Sequence, residues 1–488
     1  MLLSFSVENF RSFRDRVELR MDASTDTELK EVVRHGIAGV PDSFHGILPV
    51  VSIHGANASG KSNFVKAAEF LDLLVDWTES VRIGMGRDVE TVPPLSSASS
   101  FRLDEIKSCS PTSLEVVFIL ENVRWAYGLV VDNSRIHGEW LYYWPRGKRT
   151  ELFARGCAVS PNRSAWIFDR IVQRFGRVRR NPSQSDANEA TAVQAAESSR
   201  WTQETVEEST EFREAWTWGP DFEKGISEGQ ALAGRTRTDV PFLSVAATWN
   251  HPQAAQVLRW FSRLSVIDAT LAQTLALEQG ICRACEEDAA LLEWVQNWLK
   301  AADLGISSIE IEKVDIPTDG GGREHVRQRY QPKAIHKTTG GGKVAFDMRQ
   351  ESHGTNRIFG LAHTFYQTLQ HGGVLIADEL HAGLHPLLLR ALVKIFQSPK
   401  RNPHHAQLIF TTHDVSVLDN SLLRRDQIHI VEKNQAGASS LYSLSDFDEK
   451  PRKDSPLIKY YLSGNLGGVP DLNLDLAFPL KDGAGSKP

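Results

Sequence analysis

Cysteine, long apolar runs and an excess of one charge are all scarce in this sequence. Lys+Arg 55 against Asp+Glu 61 leaves a net charge of −6 over 488 residues. There is no global basic field, so any DNA or RNA contact has to come from a local patch. Four cysteines are too few for a disulfide scaffold and fit a reducing cytosol. No stretch approaches the ~18 uninterrupted apolar residues of a transmembrane helix, so no membrane contact is expected. Met1-Leu2-Leu3-Ser4-Phe5 runs at once into Glu8, Asn9 and Arg11, without the regions of a signal peptide. The expected location is cytoplasmic. Internal repeats and sustained heptads are missing too, which argues against a solenoid or a long coiled-coil arm.

What is present is an ordinary globular balance, 41% hydrophobic and 24% charged, in a chain long enough for about three domains. Strand patterns cover Leu2 to Val7 and Arg16 to Leu19, with Glu8-Asn9-Phe10-Arg11-Ser12-Phe13 as a polar-aromatic turn between them. Pro49 to His54 is an apolar run ending at glycine, and Asn63 to Leu74 has helical spacing. Residues 114–144 read as an antiparallel meander. The span 180–235 is polar and reads as exposed helix or flexible insertion, and 252–300 returns to helical spacing. Two glycine triplets, at 320–322 and 340–342, bracket a hairpin-like region. From 373 onward, buried-type strands alternate with helices, the pattern of a parallel sheet.

Gly55-Ala56-Asn57-Ala58-Ser59-Gly60-Lys61-Ser62 matches G-x-x-x-x-G-K-[ST] in full, after an expected strand and before an expected helix. The glycines let backbone N–H groups turn inward around phosphate oxygens, and the helix adds its positive N-terminal end. Gly55, Asn57, Ala58, Ser59, Gly60, Lys61, Ser62 and Asn63 are the expected nucleotide contacts. Lys61 reaches the β- and γ-phosphates, and Ser62 is an expected Mg2+ ligand. Val374-Leu375-Ile376-Ala377-Asp378-Glu379 supplies the distant carboxylates. Two carboxylates at a buried strand end are costly unless metal or water uses them. Asp378 is the expected second metal ligand and Glu379 the general base. His413 follows the next buried strand, where an imidazole can sense the γ-phosphate; taken alone, a histidine there is more often structural, but its place after Glu379 fits a known pattern that puts it with Lys61 and Glu379 in the catalytic set.

Taken together, these residues resemble the ABC-type ATPases of the SMC/RecF/OLD branch. The resemblance implies that Arg11 contacts the nucleotide. It also implies that Gln350-Glu351-Ser352-His353-Gly354-Thr355-Asn356-Arg357 is a divergent signature loop, in which Ser352, Gly354 and Thr355 contact the ATP of a partner chain. Ala382-Gly383-Leu384-His385 stands where a D-loop belongs. The 291 residues between Lys61 and Ser352 imply an arm or lid between two lobes. Within that branch the sequence is similar to stand-alone bacterial ATPases of abortive-infection and antiphage defence, including those of retron, Septu and PARIS-type systems. The Asp-Glu-Leu-x-x-Gly-Leu-His-Pro run and the closing Tyr461 to Pro470 carry that likeness.

The expected fold is therefore α/β, a two-lobed ABC head with a β-rich N-lobe and a helical insertion between phosphate loop and signature. The expected boundaries are 1–155, 156–300 and 301–488. The expected cofactors are ATP and Mg2+. The expected partners are a second copy, as an ATP-sandwich dimer or higher homo-oligomer, and a separate effector such as a nuclease. DNA remains open, through a repair-clamp alternative. Four further signals carry bland readings. Cys282 and Cys285 fit two thiols one turn apart on a buried helix better than a zinc site. Asp446-Phe447-Asp448 has too little chain after it for a nuclease domain. The arginines at 170, 174, 177, 179 and 180 read as a solvated face. Trp201, Trp216 and Trp218 read as packing anchors.

Overall fold

The computed structural model describes residues 1–82, 94–158, 213–222, 229–268, 271–302, 305–320, 323–447 and 456–470. Along the chain, β1 (Leu2–Glu8) and β2 (Val17–Arg20) precede β3 (Val50–His54) and α1 (Lys61–Arg82). Then come β4 (Thr112–Leu120), β5 (Val123–Val131), β6 (Ile136–Trp144), β7 (Thr150–Ala158) and β8 (Arg213–Trp218). Helices α2 (Phe242–Thr248) and α3 (Pro252–Phe261) lead into β9 (Leu264–Ile267), followed by α4 (Leu271–Glu287) and α5 (Ala289–Ala301). A long hairpin of β10 (Ile306–Gly320) and β11 (Arg323–Lys337) continues into β12 (Lys343–Asp347) and α6 (His353–His371). Last come β13 (Val374–Ala377), α7 (Pro386–Gln397), β14 (Gln407–Thr411), β15 (Ile428–Lys433), β16 (Ser439–Ser443) and α8 (Leu457–Leu462).

The strands form three sheets in a mixed α/β fold. An antiparallel sheet has the order β2-β1-β4-β5-β6-β7-β8. A second sheet has the order β16-β15-β3-β14-β13-β9 and is parallel except at the β15–β16 hairpin. Its inner strands β13 and β14 read as near-continuous apolar runs because both faces are covered. Val51, Ile53, Ile376 and Ile409 point into a core shared with α1 and the antiparallel sheet. Val50, Leu375, Leu408 and Phe410 point the other way, toward α6 and α7. The apolar face expected on α1 is buried at Phe64, Ala67, Ala68, Leu71 and Leu74. Gln407 joins the sheets, accepting from Leu2 N at 2.6 Å and donating to Leu2 O at 3.0 Å. Losing that amide would strand buried backbone groups, at about 1–3 kcal/mol each.

Three segments differ from the sequence expectation. Arg213–Trp218, inside the span read as exposed helix or flexible insertion, is the edge strand of the antiparallel sheet. Its neighbours 159–212 lie outside the described residues. Leu264–Ile267, inside the span read as helical, is the edge strand beside β13. The glycine-bracketed region, read as hairpin-like, is instead the single strand β11, paired with β10 on one side and β12 on the other. β10–β12 form the third sheet, and Ile306, Ile309 and Ala334 share a core with α4, α5 and α6. No helix among the described residues is long and apolar enough to cross a membrane.

Candidate functional site

β3 ends at His54 and α1 starts at Lys61, so six residues reverse the chain. Gly55, Ala58 and Gly60 take φ values of 154°, 59° and 119°. A Cβ on Gly55 would stand 2.3 Å from Val431 O, and one on Gly60 2.5 Å from Ser439 Oγ. Neighbouring atoms thus admit only glycine at both places. Asn57 and Ala58 are exposed on the loop, and Ser62 and Asn63 sit in the first turn of α1. Lys61 is 4% exposed and donates from Nζ to Gly55 O and Ala56 O, both at 3.0 Å. Burial lowers its pKa to about 8, against the opposing pull of Glu379 and Asp378. Ser59 Oγ is buried without a hydrogen-bond partner. A cation held by two neutral carbonyls beside an orphaned hydroxyl fits a phosphate chain, which would satisfy both.

The carboxylates stand at the neighbouring strand ends, the usual ligand side of a parallel sheet. Asp378 is 8% exposed and accepts a hydrogen bond of 2.5 Å from Thr411 Oγ1. The same hydroxyl accepts from Glu379 N at 2.7 Å. Glu379 takes φ 46°, a left-handed conformation that costs a non-glycine residue energy. Its peptide is pinned on both sides, because Arg357 Nη2 donates to Glu379 O at 3.0 Å. His413 Nε2 lies 3.5 Å from Glu379 Oε1, and burial, then Lys61, push its pKa down, so the ring is neutral at pH 7. The Asp378 carboxylate and the Ser62 hydroxyl are oxygens of the kind that binds a hard divalent cation. Among the described residues no three His, Cys, Asp or Glu side chains form a protein-only metal cage. Mg2+ does not need one, since it binds through one or two protein oxygens plus phosphate and water.

The other expected contacts fall into two groups. Arg11 sits at φ 52°, with its N–H on Ser99 O at 2.7 Å, in a turn that touches the first turn of α1. Asn63 Nδ2 donates to Ser12 Oγ at 2.8 Å, which ties that turn to the helix. Ser352 caps α6 instead. It accepts from Thr355 N at 3.1 Å and meets Thr355 Oγ1 at 2.8 Å. Gly354 packs on the D-loop segment, where a Cβ would stand 2.2 Å from Gly383 O. Ser352, Gly354 and Thr355 are thus engaged with their own helix and with Gly383.

Thr411, Arg357 and Asp268 were not singled out from sequence. Thr411 is one more residue of an apolar strand until β14 is seen beside β13. Arg357 is 2% exposed on an otherwise apolar face of α6, where burial lowers its pKa and Glu379, Asp268 and Asp378 oppose that. A charge among Ile358, Phe359, Leu361 and Ala362 was its available signal. Asp268 follows β9, whose Ile267 pairs with Ala377, so it stands beside Asp378. Of the signals read as bland, Cys282 and Cys285 are buried on α4 with burial raising both thiol pKa values. Trp216 and Trp218 stack with ring centroids 5.2 Å apart, next to Phe242. Asp446 accepts from Ser443 N at 2.9 Å. Trp201, Asp448 and the arginines at 170–180 lie outside the described residues.

The model of the family described as "AAA domain, putative AbiEii toxin, Type IV TA system" matches residues 50–223 and 296–419. No curated protein matches the sequence. Among solved structures, an SMC head domain from Thermotoga maritima is 15% identical, with 91% of this chain and 98% of that chain covered and a TM-score of 0.35. An Smc head domain with a coiled coil and joint from Pyrococcus yayanosii is 12% identical, with 95% and 99% covered and a TM-score of 0.39.

Proposed function

The chain belongs to the AAA-domain family whose model it matches over 50–223 and 296–419, and from that premise we propose that it binds ATP with Mg2+ and hydrolyses it at the strand-end cluster. The observation that carries this reading is Thr411, whose hydroxyl links Asp378 to the backbone of Glu379, on the strand next to the one that ends in the phosphate loop. In this reading Lys61 leaves the carbonyls of Gly55 and Ala56 for phosphate oxygens. Ser62 and Asp378 would hold Mg2+, which neutralises phosphate charge when bound. Glu379, fixed by Thr411 and Arg357, orients the attacking water and takes its proton. The neutral His413 donates toward the γ-phosphate position. No covalent intermediate is required, because phosphoryl transfer to water depends on positioning and charge stabilisation.

Ser352, Gly354 and Thr355 complete the site of a second copy in this proposal, so two chains enclose two ATPs and hydrolysis releases them. ATP would then act as a switch on a homo-oligomer, and the switch would hold or free a separate effector, such as a nuclease, in antiphage defence. That last step rests on the sequence resemblance to defence ATPases. The test is the solution mass of Glu379→Gln, with and without Mg-ATP and with and without DNA, beside wild-type turnover. The expected result is wild-type hydrolysis, at least 100-fold slower turnover in the variant, and a rise in its mass with Mg-ATP alone. Wild-type turnover in Glu379→Gln would overturn the base assignment. A mass rise only with DNA would replace the effector switch by a clamp on DNA.

A further inference from the structure

The closing run from Tyr461 to Pro470, which the chemistry above does not use, packs against the first residue of the phosphate loop. Helix α8 turns Leu457 and Tyr461 inward. The Tyr461 hydroxyl donates to Gly468 O at 3.1 Å. The rings of Tyr461 and His54 meet edge to face, with centroids 6.0 Å apart. Gly464, Gly467 and Gly468 take φ values of 79°, 70° and 65°. A Cβ on Gly468 would lie 2.5 Å from Ile430 Cγ2 and 3.3 Å from Gly55 Cα. One on Gly467 would lie 2.3 Å from the Tyr442 hydroxyl. The backbone of this run therefore approaches the loop as closely as glycine permits. A single buried hydroxyl, that of Tyr461, fixes the Gly468 carbonyl at this point of closest approach.

Gly55 is thus held from two sides. Its Cα lies against Gly468, which Tyr461 anchors, and its carbonyl is one of the two oxygens that hold Lys61. When phosphate draws Lys61 away, the carbonyl loses its partner and the Gly468 contact stays. We propose that Tyr461, locked by Gly468, is a positioning residue that keeps the phosphate loop in its anion-binding shape for the polyphosphate of a nucleoside di- or triphosphate. The proposal rests on the reading of the loop as an ATP site.

Tyr461→Phe removes the hydroxyl and keeps the ring, and Gly468→Ala displaces the run by a different route. Two quantities are measured for each variant and for the wild type: Mg-ADP and Mg-ATP affinity with saturating turnover, and deuterium uptake of the 55–60 segment without ligand. The expected result is affinity weakened about five- to ten-fold for both nucleotides, with turnover at saturation within about two-fold of wild type. Uptake at 55–60 is expected to quicken while β5 and β6 stay unchanged. A tyrosine that serves only as packing would lower the melting temperature without this split. Wild-type affinity and wild-type uptake in Tyr461→Phe would overturn the proposal. Should the wild-type chain bind no nucleotide, the ATP reading falls, and the uptake comparison still decides whether Tyr461 holds the loop.

Discussion

The phosphate-loop end of the core sheet and the signature end of α6 carry comparable polar inventories but are built differently. At the first, Lys61 rests on two neutral carbonyls, Ser59 Oγ has no partner, and Glu379 is held at φ 46°. At the second, the Ser352 hydroxyl is satisfied by its own helix, and Gly354 lies against Gly383 O. Unmet polar groups and strained backbone stay in a fold when a ligand or a reaction uses them. The difference fits ligand capture at the phosphate loop, whereas Ser352 and Gly354 are matched within their own chain.

Lys61→Ala should break the phosphate side most severely. ATP affinity is expected to fall at least about 100-fold in equilibrium binding, because two or more charge-assisted bonds are lost. A loss under five-fold would mean the loop binds without its lysine and would undo the assignment. Gly354→Ala tests the other side. Its Cβ cannot coexist with Gly383 O at 2.2 Å, so the signature and D-loop segments have to separate. Turnover is expected to drop about thirty-fold while the affinity of the isolated chain for ATP holds. An equal drop in both would show that the two ends are one site within a single chain.

The smallest expected effect sharpens the phosphate side. Free Lys61 titrates near 8, and bound phosphate raises that value, so binding takes up a proton above pH 8. ATP affinity should fall about ten-fold between pH 7 and pH 9, and calorimetry in buffers of different ionisation enthalpy should register the proton uptake. The loss is not melting. A lysine whose folded pKa lies below its unfolded value adds stability as pH rises from about 8 toward 10.5, since the unfolded chain binds more protons there. A flat affinity profile across that range would mean the ammonium does not meet the phosphates.

Much of this was legible before any coordinates. The alternation of buried strands and helices expected from 373 onward is β13, α7 and β14. The meander expected over 114–144 is β4 to β6. Residues with a strong local pattern are read well, because burial on both faces or one face writes itself into periodicity. β9 escaped because three of its four residues, Leu264 to Val266, are only half-buried and lie among helical spacings. β8 escaped because it is an edge strand in a polar span, held by pairing with β7 across a long sequence gap. Tyr461 was legible only as part of the closing run, since the contact of that run with Gly55 spans four hundred residues.

By itself, the sequence determined the α/β pattern and the phosphate-loop motif, and it set two carboxylates and a histidine at strand ends. Those depend on local rules: glycine where φ must be positive, apolar runs where a strand is covered, acids at a strand end. Only the tertiary structure decided which strand stands beside which. It thereby made Thr411 the link between Asp378 and Glu379, set Arg357 on the Glu379 carbonyl, and brought the run of Tyr461 and Gly468 against Gly55. Hydrogen bonds between residues tens to hundreds of positions apart leave no period in a sequence. They exist once the parallel sheet has brought its strand ends together.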